Sequence, residues 1–245
     1  MDMKISGSGT IAAGEYDHIR VSGSAKLGGP IRCQSFHCSG SARCDGDIEA
    51  QKDIKVSGSA HFDQSVSAQD VGISGSTRIN GNCTCTGILR ISGSMRCDGD
   101  IKGNTVTVSG AAHTANMEGE DVEINGKIVC EGLLNAENIV IKMDGASSEI
   151  GSIGGSKISI YPERHHKKIV RLPLLSRLLG NNGRNGLVVK ESIEGDEIAL
   201  EQVTAKTVIG RVVAIGEGCH IDLVQYSEAI EISPDATVER QERIC

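Results

Sequence analysis

A four-residue phrase, in which an aliphatic residue precedes Ser-Gly-Ser, recurs along the first half of the chain. It begins at Ile5, Val21, Val56, Ile73 and Ile91, and copies with one substitution begin at Cys38 and Val108. Successive copies are therefore spaced almost evenly, close to the interval of 17 that separates Val21 from Cys38. Self-similarity at so short a period is typical of a solenoid, in which each repeat forms one coil and stacks on its neighbours.

Each repeat contains three pairs of apolar or small residues, and one residue separates the two members of a pair. In one repeat the pairs are Ile54/Val56, Ala60/Phe62 and Val66/Ala68. This period-two alternation is that of a short strand with one buried face. The segment 1–160 contains no long apolar stripe of period 3.6, which argues against helical crossovers between strands. We therefore predict an all-β fold, a single-stranded β-helix of about 13 coils, with about 17 residues and three short strands in each coil.

Composition limits the ligands that such a rod could bind. Aromatic residues make up 2% of the chain, which leaves few platforms on which sugars or unpaired bases could stack. The formal net charge is −7, whereas nucleic-acid binding requires a dominant positive field. We therefore expect no nucleic-acid partner.

Nine cysteines raise the question of disulfides or a metal site. Seven of them lie in or next to positions that other repeats fill with aliphatic residues: Cys33, Cys38, Cys44, Cys83, Cys85, Cys97 and Cys130. Cys44 and Cys97 share a column but lie three coils apart, about 14 Å, which is too far for a disulfide. Cys83-Thr84-Cys85 lacks the two-residue spacer of a zinc-binding pair. We expect buried, reduced thiols without metal or cofactor. Reduced thiols and the lack of a signal peptide favour the cytoplasm.

The repeat pattern divides the chain into residues 1–160, an insertion at 161–186, and residues 187–245, where strands resume and end in a short polar tail. In the last part Ile198, Ile215 and Ile232 follow one another at intervals of 17, which predicts that the same solenoid continues there.

The insertion differs from its flanks in charge and composition. It carries six basic residues and one acidic residue, a net charge of +5, whereas residues 1–160 carry −5 and residues 187–245 carry −7. Basic residues next to leucines would combine electrostatic and apolar attraction to an anionic membrane surface, and they would equally suit a partner protein or the chain's own acidic flank. The candidate contact residues are Lys167, Lys168, Arg171, Leu174, Leu175, Arg177, Leu178 and Leu179.

The short coils and the aliphatic-Ser-Gly-Ser repeat over residues 5 to about 141 resemble the bactofilins, bacterial cytoskeletal proteins that form polymers. The resemblance implies a right-handed β-helix that assembles end to end into filaments without a nucleotide, and a role in organising cell shape, the envelope or motility. This chain departs from the family pattern in its basic insertion and in the second block of repeats that follows it.

Two other functions remain open. Spacings of six, as from Val21 to Leu27 to Cys33, superficially match the left-handed hexapeptide-repeat acyltransferases, but the next interval, to Cys38, is five. Those enzymes need a histidine base, and the candidates His37, His61 and His113 lie at outward positions that Lys or Arg fill in neighbouring coils. We therefore do not expect an enzyme. The other possibility is a scaffold that binds a partner protein without forming polymers.

The two ends of the rod are the candidate polymer interface. Each coil of a β-helix bonds to the coils on either side, so unpaired main-chain groups remain at the ends. At the first coil the apolar candidates are Met3 and Ile5, and at the last they are Ile230, Ile232 and Val238. We expect Ile5 to carry a free main-chain donor at the first edge. We also expect the protein's principal partner to be another copy of itself.

Overall fold

The computed structural model describes residues 1–143, 145, 147–163 and 186–244. It is a β-solenoid of about 13 turns with about 17 residues per turn, which confirms the predicted fold class. The described residues contain no helix, and every pairing between their strands is parallel. The rod therefore grows by adding one coil to the edge of the last, as the repeat predicts.

The predicted division into three short strands per coil is clearest in the middle of the rod. From Met3 to Ile124 the strands are β1 Met3–Ile5, β2 Ser8–Val21, β3 Ser24–Cys38, β4 Ser41–Cys44, β5 Ile48–Val56, β6 Ser59–Phe62, β7 Val66–Ala68, β8 Asp70–Ile73, β9 Ser76–Ile79, β10 Cys83–Cys85, β11 Ile88–Ile91, β12 Ser94–Cys97, β13 Ile101–Lys102, β14 Thr105–Val108, β15 Ala111–Thr114 and β16 Met117–Ile124.

In the later coils the strands run continuously around the corners. They are β17 Lys127–Met143, β18 Ser148–Pro162, β19 Leu187–Leu200, β20 Val203–Ile215, β21 His220–Ile232 and β22 Thr237–Arg243. Each of β17 to β21 spans most of a coil, so the main-chain ladder between coils is less interrupted here than in the middle of the rod.

The predicted inward pairs form three buried columns. We call the three sides of the rod face A, which contains Ile54 and Val56, face B, which contains Ala60 and Phe62, and face C, which contains Val66 and Ala68. All six of these side chains are buried. Phe62 also meets Phe36, edge to face, at a distance of 6.0 Å between ring centroids. The core is narrow and continuous along the rod, because each column stacks residues of one face.

The Ser-Gly-Ser phrase forms the corner between faces A and B. Ser57 N–H donates to the Cys38 carbonyl and Ser59 N–H donates to the Gly40 carbonyl, both at 2.8 Å. A Cβ built at Gly58 would lie 2.0 Å from the Gly40 oxygen, well inside contact distance. The same arrangement recurs from coil to coil along this corner. Glycine is therefore required here because successive corners approach too closely for a side chain.

Polar side chains support the next corner, between faces B and C. Ser65 N–H donates to Asp47 Oδ1 at 2.9 Å, Asn82 N–H to Ser65 Oγ at 3.2 Å, and Asp100 N–H to Asn82 Oδ1 at 2.9 Å. These side chains accept main-chain N–H groups where the strand ladder is interrupted, which satisfies donors that would otherwise lack a partner.

The solenoid continues after residue 186, as predicted, but the interval of 17 between Ile198 and Ile215 is not the period of their coil. Ile198 lies opposite Val213, and Leu200 lies opposite Ile215, so this coil is two residues shorter than the predicted period. It is shorter because two corners each contain two residues, 201–202 and 206–207, where most earlier coils have three. Ile215 lies opposite Ile232, so the next coil on this face has the predicted period of 17.

Candidate functional site

The first coil leaves one edge of the rod unpaired. Strand β1 pairs with the end of β2 and with no other strand of the described residues. Met3 and Ile5 are partly buried and pack against the core from this end. Ile5 folds over Gly9, since a Cβ built at Gly9 would lie 2.9 Å from Ile5 Cδ1. These side chains cover the end of the core only in part, so apolar surface is available there for contact.

The last coil is open in the same way. Strand β22 pairs with β21, and no described strand lies beyond it. Ile230, Ile232 and Val238 are partly buried and pack against the core. Their exposure contrasts with the full burial of Val213 and Ile215, which occupy the same face one coil earlier. Covering the end with another surface would therefore bury apolar side chains that the described part of the chain leaves partly exposed.

The free main-chain groups come from different residues at the two ends. Ile5 accepts hydrogen bonds from Ser22 N–H at 2.8 Å and Gly23 N–H at 3.2 Å, so its carbonyl faces the second coil. A strand residue directs its N–H and C=O to the same side, so the groups facing outward from β1 belong to Lys4. The expectation that Ile5 carries the free donor of this edge is therefore wrong.

At the last coil, the free main-chain groups do belong to predicted contact residues. Thr237 N–H donates to the Cys219 carbonyl at 2.8 Å and Ser233 N–H donates to the Ile215 carbonyl at 2.8 Å, so these residues face the preceding coil. The next residue along β22, Val238, and the residue before Ser233, Ile232, then direct their main-chain groups away from the rod. At this end the same residues offer both apolar side chains and free backbone groups.

Two tyrosines and an alanine also belong to the ends, although the sequence patterns did not single them out. Tyr16 packs partly buried at the first coil, and Tyr226 and Ala236 pack partly buried at the last. Tyr16 lies opposite Cys33 on face C, so its place could have been found by extending that column back by one repeat. No column signal marks Tyr226, because the residue that precedes it on face C is Gly210.

The predicted membrane or partner contact lies outside the described residues. This applies to Lys167, Lys168, Arg171, Leu174, Leu175, Arg177, Leu178 and Leu179. The residues on either side show where that segment joins the rod. Ile160 lies opposite Leu200 and Ser148 lies opposite Leu187, so β18 and β19 are adjacent coils. The chain therefore leaves face A after Glu163 and returns on face B at Leu187, at the same corner that the Ser-Gly-Ser phrases occupy in earlier coils.

The outward basic row on face B is paired with acidic side chains. The row consists of Lys26, Arg43, Arg78 and Arg96, with His61 and His113 at the equivalent positions of two other coils. Asp98 Oδ2 accepts from Arg78 Nη2 and Asp98 Oδ1 accepts from Arg96 Nε, both at 2.8 Å. The bond from Arg96 contributes most to a pKa of Asp98 below its ordinary value. Exposed pairs of this kind stabilise a fold by about 0–1 kcal/mol each, so the row is chiefly a neutralised surface.

The eight described cysteines are free and buried, as predicted for the seven that the repeat pattern singled out. Burial raises the pKa of Cys33 to about 12 and that of Cys97 to about 11. Thiols with such pKa values are almost entirely protonated near neutral pH and are poor nucleophiles and metal ligands. The described residues contain no group of His, Cys, Asp and Glu side chains placed to hold a metal ion.

Where the structure describes the chain, it shows no helix of the length and apolar character that membrane crossing requires. The described residues thus define a β-solenoid protein whose two terminal coils each present an unpaired strand edge and partly exposed apolar side chains.

The chain is 45% identical over 243 residues to the protein YhbE of Bacillus subtilis (strain 168), which is described as uncharacterized. The match covers 98% of this chain and 97% of YhbE, and the chain therefore belongs to the YhbE family. YhbF of the same strain, also described as uncharacterized, is 29% identical over 113 residues, which are 46% of this chain and 42% of YhbF. The chain matches no protein-family model, and no solved structure matches it.

Proposed function

We propose that the protein is a non-catalytic structural protein of the bactofilin type, which assembles end to end into filaments without a nucleotide. In this proposal it acts in the cytoplasm as a scaffold for machinery of cell shape, the envelope or motility. The partner at each end is another copy of the same chain, and no nucleic acid, metal or cofactor takes part.

The observation that supports this proposal most is the condition of the two terminal coils. Lys4 at one end and Ile232 and Val238 at the other direct main-chain groups away from the rod, next to partly exposed apolar side chains. Unpaired strand edges are templates for association. A contact that joins one end to another without closing a ring continues indefinitely, and the product is a filament.

The test compares purified protein with two matched variants by sedimentation and negative-stain electron microscopy. Lys4→Pro removes the outward main-chain N–H of β1, whereas Lys4→Ala keeps it and removes only the side chain. We expect filaments from the unmodified protein and from Lys4→Ala, formed without added nucleotide, and shorter or fewer filaments from Lys4→Pro. Ile232→Glu, at the other end, should shorten filaments as well, because it places a charge in the apolar contact.

Short monodisperse particles of the unmodified protein at all concentrations and salt levels would refute end-to-end assembly. The scaffold that binds a partner protein without forming polymers would then be the better explanation. Normal filaments from both Lys4→Pro and Ile232→Glu would refute the assignment of the contact to these residues.

We also propose that the insertion at 161–186 contacts an anionic membrane surface or a partner protein. Its departure and return at one exposed corner of the rod support this proposal, since a segment at a corner leaves the stacking of the coils undisturbed. Flotation with phosphatidylglycerol vesicles tests the membrane contact: recovery of the intact protein should exceed that of a variant lacking residues 164–185, and equal recovery would refute it.

A further inference from the structure

Gly72 interrupts a column of long polar side chains on face A. The outward residues of successive coils in this column are Arg20, His37, Lys55, Gly72 and Arg90. A glycine in a strand lowers stability relative to alanine, because it has more freedom to lose and no side chain to pack. Its presence in the middle of β8 therefore calls for a reason.

The backbone does not supply that reason. Gly72 is not among the described glycines with a positive φ, so its conformation suits other residues equally well. A Cβ built at Gly72 would meet Lys55 Cγ at 3.8 Å, an ordinary contact distance, and nothing nearer. This separates Gly72 from the corner glycines, such as Gly75, where a Cβ would lie 1.9 Å from the Gly58 oxygen. The lack of a side chain at Gly72 leaves open space above β8, and neither the backbone conformation nor the packing of the coils requires that space to be empty.

That space is a groove of about 600 Å³ on face A. Gly72 and Val71 lie on its floor, and Lys55 and Arg90 line it from the coils on either side. The main chains of these two residues are two coils apart, about 10 Å, and the strand between them has no side chain at Gly72. The groove is thus centred on the one strand, β8, that lies between the coils of Lys55 and Arg90.

The negative charges beside the groove are already engaged. Asp53 Oδ2 accepts from Lys55 Nζ at 2.5 Å and from His37 Nε2 at 2.9 Å. Burial is the largest single influence and would raise the pKa of Asp53, but the hydrogen bonds and the charges of Lys55 and His37 together outweigh burial and lower the pKa. Asp70 Oδ1 accepts Ile88 N–H at 2.8 Å.

Two cations that line the groove, Lys52 and Arg90, form no ion pair with any carboxylate that the structure describes. Arg90 is exposed. The charge that the groove can still accept is therefore negative.

An apolar contact lies one step along the strand from Arg90. Ile88 is 42% exposed and points outward from β11, two residues before Arg90. The two side chains are therefore spaced like residues i and i+2 of an extended chain. A ligand that lies along the groove meets an apolar surface and a guanidinium at that spacing.

We propose that this groove binds an extended segment of a partner protein, with an apolar side chain against Ile88 and an acidic side chain over Gly72, next to Arg90. The segment lies along β8, and its acidic residue is two positions from its apolar residue. This site is independent of the rod ends, because Gly72 lies several coils from either of them.

The width and charge of the groove favour a peptide over a membrane. A membrane surface is much broader than the groove, so it would lie across Lys55 and Arg90 without entering the space above Gly72. A free anion would gain the charge of Arg90 but would leave the exposed Ile88 uncovered. A single extended chain satisfies both.

The test uses a fluorescein-labelled peptide of repeating Leu-Ser-Glu-Ser, in which Leu and Glu alternate on one side of the extended chain. The control peptide carries Lys in place of Glu. Fluorescence anisotropy measures binding of each peptide to the unmodified full-length protein and to three variants. Gly72→Gln fills the groove, and Gly72→Ala leaves it open. Arg90→Gln removes the Arg90 cation. Circular dichroism checks that each variant is folded.

We expect the acidic peptide to bind the unmodified protein and Gly72→Ala within twofold of each other, and to bind Gly72→Gln and Arg90→Gln at least tenfold more weakly. Equal binding of the acidic and basic peptides, equal binding to Gly72→Gln and the unmodified protein, or no binding would overturn the proposal. Displacement of the peptide by inorganic phosphate at equal concentration would also overturn it, since the site would then be one for small anions. The result does not depend on filament formation, because non-polymerising protein in the same assay has the same groove.

Discussion

The coils before residue 125 and those after residue 186 bury the same kind of core but turn their corners differently. In the earlier coils the corner between faces A and B is Ser-Gly-Ser, or Ser-Gly-Ala after Val108, and a Cβ at Gly58 would lie 2.0 Å from the preceding corner. In the later coils the same corner is Glu201-Gln202 in one coil and Gly216-Glu217-Gly218 in the next. Gln202 adopts a φ of 55°, the left-handed region that favours glycine.

The core and the corners of the rod are therefore separate constraints. The core requires apolar residues at fixed faces, and both regions meet that requirement. The corners need only reverse the chain and allow the coils to approach. Where every corner has the same sequence, each coil approaches the next in the same way. Where the corners differ, the number of residues per coil changes: Ile198 pairs with Val213, 15 residues later, whereas Ile215 pairs with Ile232, 17 residues later.

The strongest destabilisation should occur at a corner glycine of the regular region. Gly58→Ala should destabilise the protein by about 3–5 kcal/mol, because the added Cβ cannot fit beside the Gly40 carbonyl and the corner must move. Gly72→Ala is the matched control in the same region, and it should stabilise by about 0.5–1 kcal/mol because its Cβ has room. Guanidinium unfolding followed by circular dichroism measures both. Equal effects would show that close approach does not decide the choice of glycine.

Cysteine substitutions in the two regions test whether both have the same kind of core, and we expect a destabilisation of intermediate size. Cys97→Ala and Cys219→Ala should each destabilise by about 1–3 kcal/mol, since each shrinks a fully buried side chain. Exposed Ser94→Ala should change stability by less than about 0.5 kcal/mol. The same unfolding assay applies. Loss of bound metal or of a disulfide, detected by mass spectrometry, would contradict a purely packing role for these thiols.

A smaller change in stability is expected at the corner formed by Glu201 and Gln202. Gln202→Gly should stabilise the protein by about 1 kcal/mol, because glycine adopts the left-handed conformation without the steric cost that glutamine meets. Gln64→Gly, at a corner of the regular region where φ is not positive, should instead destabilise by about 0.5–1 kcal/mol. A loss of stability at both positions would mean that the side chain of Gln202 has a role that outweighs its backbone conformation.

Sequence alone was enough to predict the solenoid, its period and its buried columns. Ile54, Val56 and Phe62 could be placed inside because a strand alternates its faces and each repeat stacks on the last, so local pattern and final position coincide. The apolar residues at the two ends followed from the same logic, since the first and last repeats have a neighbour on one side only.

The features that depend on how one coil meets the next required the tertiary structure. Ile198 lies opposite Val213 because two shortened corners change the register, and a count of residues in one coil does not show which corner is shortened. Lys4 and not Ile5 carries the free main-chain groups of the first coil, because hydrogen-bond direction depends on which side the neighbouring coil lies. Gly72 looks like any other glycine in the sequence, and its open surroundings emerge only when three coils are stacked, since the groove is made by residues a full coil apart.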